Sequence, residues 1–199
     1  MQTWEEAQKW EKEWHGNCVN SYNEETKQYI YARLMGLDVY KTNYFGQMGW
    51  DFGGKHILDV GCGPYSILMK SNAGLKVGID PCPYPDWVMM RYESANVSIR
   101  QEPAESFSSD HIFDEALIYN CLQHTIDPQK IIENVLSCSR IVRIFEWVDQ
   151  GVSDGHIHDL HASNLDRWLG GHGKTDYISV GPCVGQAYWG IFKGKHYKL

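Results

Sequence analysis

The sequence predicts an α/β fold: a doubly wound, mostly parallel sheet that ends in an antiparallel hairpin and is preceded by a helical segment. Three observations carry this expectation. Short apolar runs alternate with helical stretches from residue 55 onward. A glycine-containing turn follows the first of those runs, where an open sheet of this kind binds ligands. The last two strand-like runs are joined only by Gly181, Pro182 and Cys183, too short a link for a crossover, so they pair antiparallel. A chain of 199 residues is the size of one domain. Within it residues 1–54 are expected to form a helical cap and residues 55–199 the sheet-bearing unit.

Along the chain, residues 3–14 are rich in Trp, Glu, Lys and Gln. Trp4, Trp10 and Trp14 fall close to one helical stripe, a pattern that packs against a core. Residues 23–36 read as a second helix stopped by Gly36, and the mixture of Gly with Tyr, Phe and Trp over 43–54 reads as a loop. Strands are expected at 56–60, 75–79, 97–101, 112–119 and 140–148, with the closing pair at 177–180 and 186–193, seven in all. Pro64 can start a helix over 65–71, because its missing N–H costs nothing there. Further helices are expected from Pro128 to about Cys138 and over 163–169, the latter with a serine N-cap.

Composition narrows the function classes. Hydrophobic residues make up 43% and charged residues 22%, too apolar for a disordered chain. The formal charge of -7 argues against nucleic acid as the main partner, since a duplex-coating protein carries a basic face. No apolar run approaches the roughly 18 residues of a membrane span. The charged start MQTWEEAQKWEKEW does not look like a signal peptide, and six scattered cysteines without a CxxC pair read as reduced thiols. A cytoplasmic location is therefore expected.

The strongest signal is Leu58-Asp59-Val60-Gly61-Cys62-Gly63-Pro64. Gly61 and Gly63 let a ligand approach the backbone and allow positive φ in the turn. The next strand ends at Asp80, and an acid there can accept both ribose hydroxyls of an adenosine. A pyrophosphate fingerprint wants a third glycine where Ser66 stands, which weakens a nicotinamide or flavin assignment.

LDVGCGP, GID, PAES and FDEALIYNCLQHTIDPQKII together resemble the motif series of class I S-adenosylmethionine-dependent methyltransferases, over roughly residues 55–148. The resemblance implies a Rossmann-like methyltransferase fold, S-adenosylmethionine as cofactor and a small-molecule or sugar-like acceptor methylated at oxygen or nitrogen. It implies that Asp59 and the backbone of Gly61, Cys62 and Gly63 face the methionine part, that Asp80, followed by Pro81, holds the ribose, and that Ala104 and Glu105 line the adenine. Pro103 stands where that family commonly has an acid, which leaves Glu102 and Glu105 both as candidates for the adenine amine. Asn120 would lie near the sulfonium and the incoming nucleophile. Family members often cover the cofactor with the segment before the first strand, so Tyr40, Tyr44 or Trp50 would face the pocket, and Trp87 would stack near the adenine.

Many small-molecule O-methyltransferases of that family have Glu-His after the fourth strand, and some relatives build a metal site there. Here Asn120, Gln123 and His124 offer no carboxylate, so no metal is expected at that spot, and His124 would orient the loop or simply pack. His156, His158 and His161, with Asp154 and Asp159, cluster after the fifth strand. Such a cluster can bind metal, form a polar pocket rim or be solvated loop; its place on the ligand-binding edge favours the rim. If the acceptor is a hydroxyl, a histidine suits the role of general base. His158 is then the first candidate, being central and next to Asp159, with His124 and Asn120 as further catalytic candidates; the alternative is alignment alone. A nicotinamide-dependent oxidoreductase and a catalytically silent partner subunit are the competing functions.

Overall fold

The computed structural model describes residues 3–15, 21–41, 48–153 and 155–198. Cys18, Tyr44 and Asp154 lie outside the described residues, as do the side chains of Trp14 and Tyr40. Helices α1 (Trp4–His15) and α2 (Ser21–Leu34) precede a small antiparallel ribbon of β1 (Asp38–Lys41) and β2 (Met48–Asp51). The main body follows as β3 (His56–Val60), β4 (Leu75–Ile79), α3 (Asp86–Ser94), β5 (Ser98–Arg100), β6 (Phe113–Tyr119), α4 (Pro128–Cys138) and β7 (Ser139–Val148). It closes with α5 (Ala162–Leu169), β8 (Lys174–Val180) and β9 (Cys183–Lys193).

The seven strands lie in the order β5-β4-β3-β6-β7-β9-β8. Strands β3 to β7 pair in parallel, while β9 runs antiparallel to both β7 and β8. The chain winds outward from β3 to β5 and then returns to place β6 on the other side of β3. That reversal opens a crevice beyond the C-terminal ends of β3 and β6. Side chains alternate across the sheet with a period of two. Ala116, Ile118, Val142 and Ile144 pack with α4 and α5, through Ile131, Val135, Leu165 and Leu169. Leu117, Tyr119, Phe145 and Trp147 pack on the opposite face with Tyr31 of α2, with Met35 just after it, and with Val88 and Tyr92 of α3.

Three local expectations need correction. The helix expected over 65–71 is a single 3-10 turn, Ile67–Lys70. The Ser66 hydroxyl accepts from Leu68 N and donates to the buried Asp59, and both Ile67 and Leu68 are buried, so the turn is pinned before an α-helix can propagate. The segment 43–54 is not all loop, because Met48–Asp51 pairs with β1 and buries Trp50. The last helix begins at Ala162, with His161 as its N-cap residue and no side-chain cap bond, so the expected serine cap Ser163 lies inside it. Helix α3 was unannounced by periodicity, since only Val88 and Tyr92 of its residues are buried.

One buried ion-pair cluster ties the N-terminal helices to the sheet. Glu115 on β6 is 1% exposed and accepts from Lys55 Nζ at 2.6 Å and from Arg143 Nε. Arg143 also donates to the carbonyls of Met35 (2.7 Å) and Gly36 (3.1 Å) at the end of α2, where a cation suits the helix dipole. Burial alone would raise the Glu115 carboxyl; Arg143 and Lys55 outweigh it and hold it below the ordinary value. Removing one partner of a buried pair strands the other charge. Glu115→Ala is therefore expected to lower unfolding free energy by about 3–5 kcal/mol. Lys55→Ala, at a side chain about half exposed, should cost less than about 1 kcal/mol. Urea unfolding of both variants checks this, and equal losses would contradict it.

Candidate functional site

Beyond the C-terminal ends of β3 and β6 lies a cavity of about 490 Å³, within the range of small-molecule sites. Its floor is the glycine turn. Gly61 and Cys62 donate to Ile79 O at 2.8 and 3.2 Å, with Gly61 at φ +68° and Gly63 at φ +61°. A Cβ on Gly61 would stand 2.4 Å from Cys121 Cβ, whereas one on Gly63 would meet nothing within 4 Å. Gly61 is thus required by the protein's own packing, and Gly63 keeps space open on the cavity side. Tyr92 of α3 reaches across with its hydroxyl 2.6 Å from Gly63 O.

Asp80 stands at the end of β4, 7% exposed, and lines the cavity. Its carboxylate accepts from Gly63 N (2.9 Å), Cys82 N (2.9 Å) and the Tyr84 hydroxyl (3.1 Å). The acid and the glycine turn therefore hold each other. Pro81, Cys62, Ala104, Glu105 and Asn120 also line the cavity. The Glu105 carboxylate accepts from Ile126 N (2.7 Å) and Asp127 N (3.2 Å), which fastens the loop after β6 to the cavity wall. Glu102 does not line the cavity and pairs with Arg100 at 2.5 Å.

Asp59 is placed differently from its neighbours in the motif. It is wholly buried beneath the turn, absent from the cavity wall, and accepts from the Tyr119 hydroxyl (2.8 Å) and from Ser66. Burial pushes its carboxyl up to about 7 against the pull of those two bonds. It acts as a strut under the site. Trp87 and Trp50 also stand off the cavity, Trp87 partly exposed beside Arg91 and Trp50 buried against Tyr29.

The histidine cluster is split. His156 lines the cavity, with Nε2 3.2 Å from Gln123 Nε2. Burial, and then the charge of His124, push it down to about 4, so it is neutral near pH 7. His158 does not line the cavity; its Nε2 lies 2.8 Å from Thr125 O and 3.2 Å from Ile126 O. These two carbonyls capture the ring and hold it outside the cavity. His161 is exposed and lies 2.5 Å from Asp149. The other candidate, His124, does line the cavity, its Nδ1 3.0 Å from Glu11 of α1 and 2.8 Å from Gly155 O. Burial would lower the His124 ring, but Glu11 and that carbonyl outweigh it and raise it. Among the described residues no group of three or more His, Cys, Asp or Glu is arranged to hold a metal.

Much of the cavity wall escaped the sequence patterns. Trp4, Gln8, Trp10 and Glu11 come from α1, and Lys27, Gln28 and Tyr31 from one face of α2. Trp147 and Gln150 extend β7, and Pro182, Cys183 and Val184 come from the terminal hairpin. The i, i+4 spacing of Lys27 and Tyr31 was the available signal for α2. Trp147 Nε1 donates to the Tyr31 hydroxyl at 3.4 Å, and Tyr31 stacks on Phe145 with centroids 4.0 Å apart.

No protein-family model matches the sequence. Many solved structures resemble the chain, among them three methyltransferases. One is 1,6-didemethyltoxoflavin-N1-methyltransferase of Burkholderia thailandensis, with bound 1,6-didemethyltoxoflavin and S-adenosylhomocysteine, at 14% identity and TM-score 0.62 over 90% of this chain and 83% of that one. A second is magnesium protoporphyrin IX methyltransferase of Synechocystis PCC 6803, at 14% identity and TM-score 0.57 over 85% and 79%. The third is the N-methyltransferase NodS of Bradyrhizobium japonicum WM9, at 12% identity and TM-score 0.52 over 71% and 79%.

The two glycines give different expectations. Gly63→Ala strains only the backbone, roughly 1–2 kcal/mol for a side chain at positive φ. Gly61→Ala adds the clash with Cys121 and should lower the thermal midpoint further; equal midpoints would refute the close packing of the two turns. The strand order, the glycine turn at the switch point and the three likenesses agree on one architecture: the chain has the class I S-adenosylmethionine-dependent methyltransferase fold.

Proposed function

We propose that the protein is an S-adenosylmethionine-dependent methyltransferase acting on a small-molecule acceptor at oxygen or nitrogen. The observation that carries this is the mutual hold of Asp80 and the glycine turn at the cavity wall, where Gly63 has open space around its missing Cβ. Asp80 would accept the ribose hydroxyls, exchanging bonds it now takes from Cys82 and Tyr84. Pro103, Ala104 and Glu105 would flank the adenine, and Gly61, Cys62 and Gly63 the methionine part. The cofactor, when bound, supplies a methyl group on a positively charged sulfur. The donor is thus already activated, and the protein's main task is to align an acceptor with it and exclude water. Tyr31, Trp147 and the 182–184 turn would grip the acceptor, and α1 would close over it through the Glu11–His124 pair.

Calorimetric titration with S-adenosylhomocysteine, NAD and NADP side by side tests the assignment. Only the first is expected to bind. Charge-assisted bonds contribute roughly 1.5–3 kcal/mol each, so Asp80→Ala should weaken that binding at least tenfold with the fold intact. An unchanged titration curve would remove Asp80 from the site. Gly63→Val should abolish the rise in melting temperature on adding S-adenosylhomocysteine.

Alignment, not a base at His158, is the proposed route. His158→Ala is expected to keep more than a tenth of wild-type kcat, because its ring is spent on the Thr125 and Ile126 carbonyls outside the cavity. A general base contributes about 10²–10⁴-fold, so a hundredfold loss at unchanged cofactor affinity would restore His158 to that role.

A further inference from the structure

We propose that Glu146 is a positioning residue for cofactor binding: from inside the core its carboxylate holds the turn at Asn120, Cys121 and Leu122 against the glycine turn. The binding part of this proposal rests on the cofactor assignment above. Glu146 lies near the end of β7, wholly buried and off the cavity wall. Its Oε1 accepts from both Cys121 N and Leu122 N at 3.1 Å. These amides belong to the turn that leaves the sheet after β6. Asn120 still donates to Phe145 O at 2.9 Å, but beyond it the parallel ladder has ended and buried N–H groups need another acceptor.

The turn needs such a hold. Asn120 sits at φ +52°, in the left-handed region that non-glycine residues adopt only sparsely, so its surroundings must hold it there. Cys121 is wedged in the space that the absent Cβ of Gly61 leaves, with its Sγ 3.4 Å from Val60 O. Asn120 and Cys121 both line the cavity beside Gly61. A small outward movement of the turn would therefore deform the wall shared by the two strand ends.

The second carboxylate oxygen, Oε2, is buried with no hydrogen-bond partner among the described residues. An acid so placed is expensive to bury. Burial pushes the Glu146 carboxyl up to about 7, against the two amides and the nearby His124 charge. Glu146 is wholly buried and off the cavity wall, so the role assigned to it is support of the turn and not contact with a ligand. What it supplies is an acceptor long enough to span from β7 to the turn. A glutamine in the same rotamer would keep that acceptor and place its amide nitrogen where Oε2 now lies.

The experiment compares Glu146→Gln and Glu146→Ala with wild type by calorimetric titration with S-adenosylhomocysteine, at a temperature where circular dichroism shows each protein folded. Amide hydrogen exchange at Cys121 and Leu122 is measured without ligand. Glu146→Gln should bind within threefold of wild type and keep both amides protected. Glu146→Ala should bind at least tenfold more weakly and exchange both amides at least tenfold faster. Binding by Glu146→Ala within threefold of wild type would overturn the proposal, since a purely structural residue would lower only the melting temperature. If Glu146→Ala does not fold, Glu146→Gln decides alone: loss of binding there would show that the charge, not the acceptor, matters, and would also overturn it. If wild type itself binds no S-adenosylhomocysteine, the cofactor assignment fails, and the exchange rates still decide whether Glu146 holds the turn.

Discussion

The contact between the glycine turn after β3 and the turn after β6 is the constraint on which the site depends. Gly61 and Cys121 approach so closely that one of them must lack a side chain. The approach exists because β3 and β6 are neighbours although β4 and β5 lie between them in the chain. Two turns leaving adjacent parallel strands in opposite senses open the crevice, and their packing sets its depth. Asp80 then ties the first turn to β4, and Glu146 ties the second to β7. Four strand ends are thereby locked around one cavity.

Three carboxylates support this arrangement, and they are not equivalent. Asp80 borders the cavity, while Asp59 and Glu146 are sealed beneath it on opposite faces of the sheet. Burial raises both sealed groups to about 7, each with one oxygen that has no hydrogen-bond partner among the described residues. Their proximity has a further effect on the cysteines. Burial, and then the neighbouring carboxylates, push the Cys62 and Cys121 thiols well above the ordinary value, which favours the protonated form. This agrees with the free thiols found at all five described cysteine positions.

The N-terminal segment shows what an amphipathic pattern leaves open. Trp4 and Trp10 of α1 are half-buried and meet the cavity together with Gln8 and Glu11. Periodicity reports which face of a helix leaves solvent, and it is blind to whether that face meets a core or a ligand space. The anchor of α2 was equally hidden. Arg143 and Glu115 lie on central strands, where a sequence pattern expects apolar residues, and their purpose appears only once the end of α2 is brought above them.

Taken by itself, the sequence determined the sheet, its terminal hairpin, the glycine turn and Asp80, because each is encoded by neighbouring residues: short continuous apolar runs, a two-glycine turn, an acid at a strand end. Helix α4 was legible for the same reason, with its proline start and its single apolar face. The helix expected after the glycine turn failed because Ser66, inside it, bonds both the buried Asp59 and Leu68 N and so captures the first turn. Tertiary structure alone decided which charged groups meet the cavity. Asp59 and Asp80 end adjacent strands, yet one is sealed by Tyr119 and Ser66 and the other lines the wall. His156 and His158 are two residues apart, and only the position of the Thr125 and Ile126 carbonyls sends one ring inward and holds the other outside. Hydrogen bonds to partners far along the chain made these choices, and such partners exist only after the strands have paired.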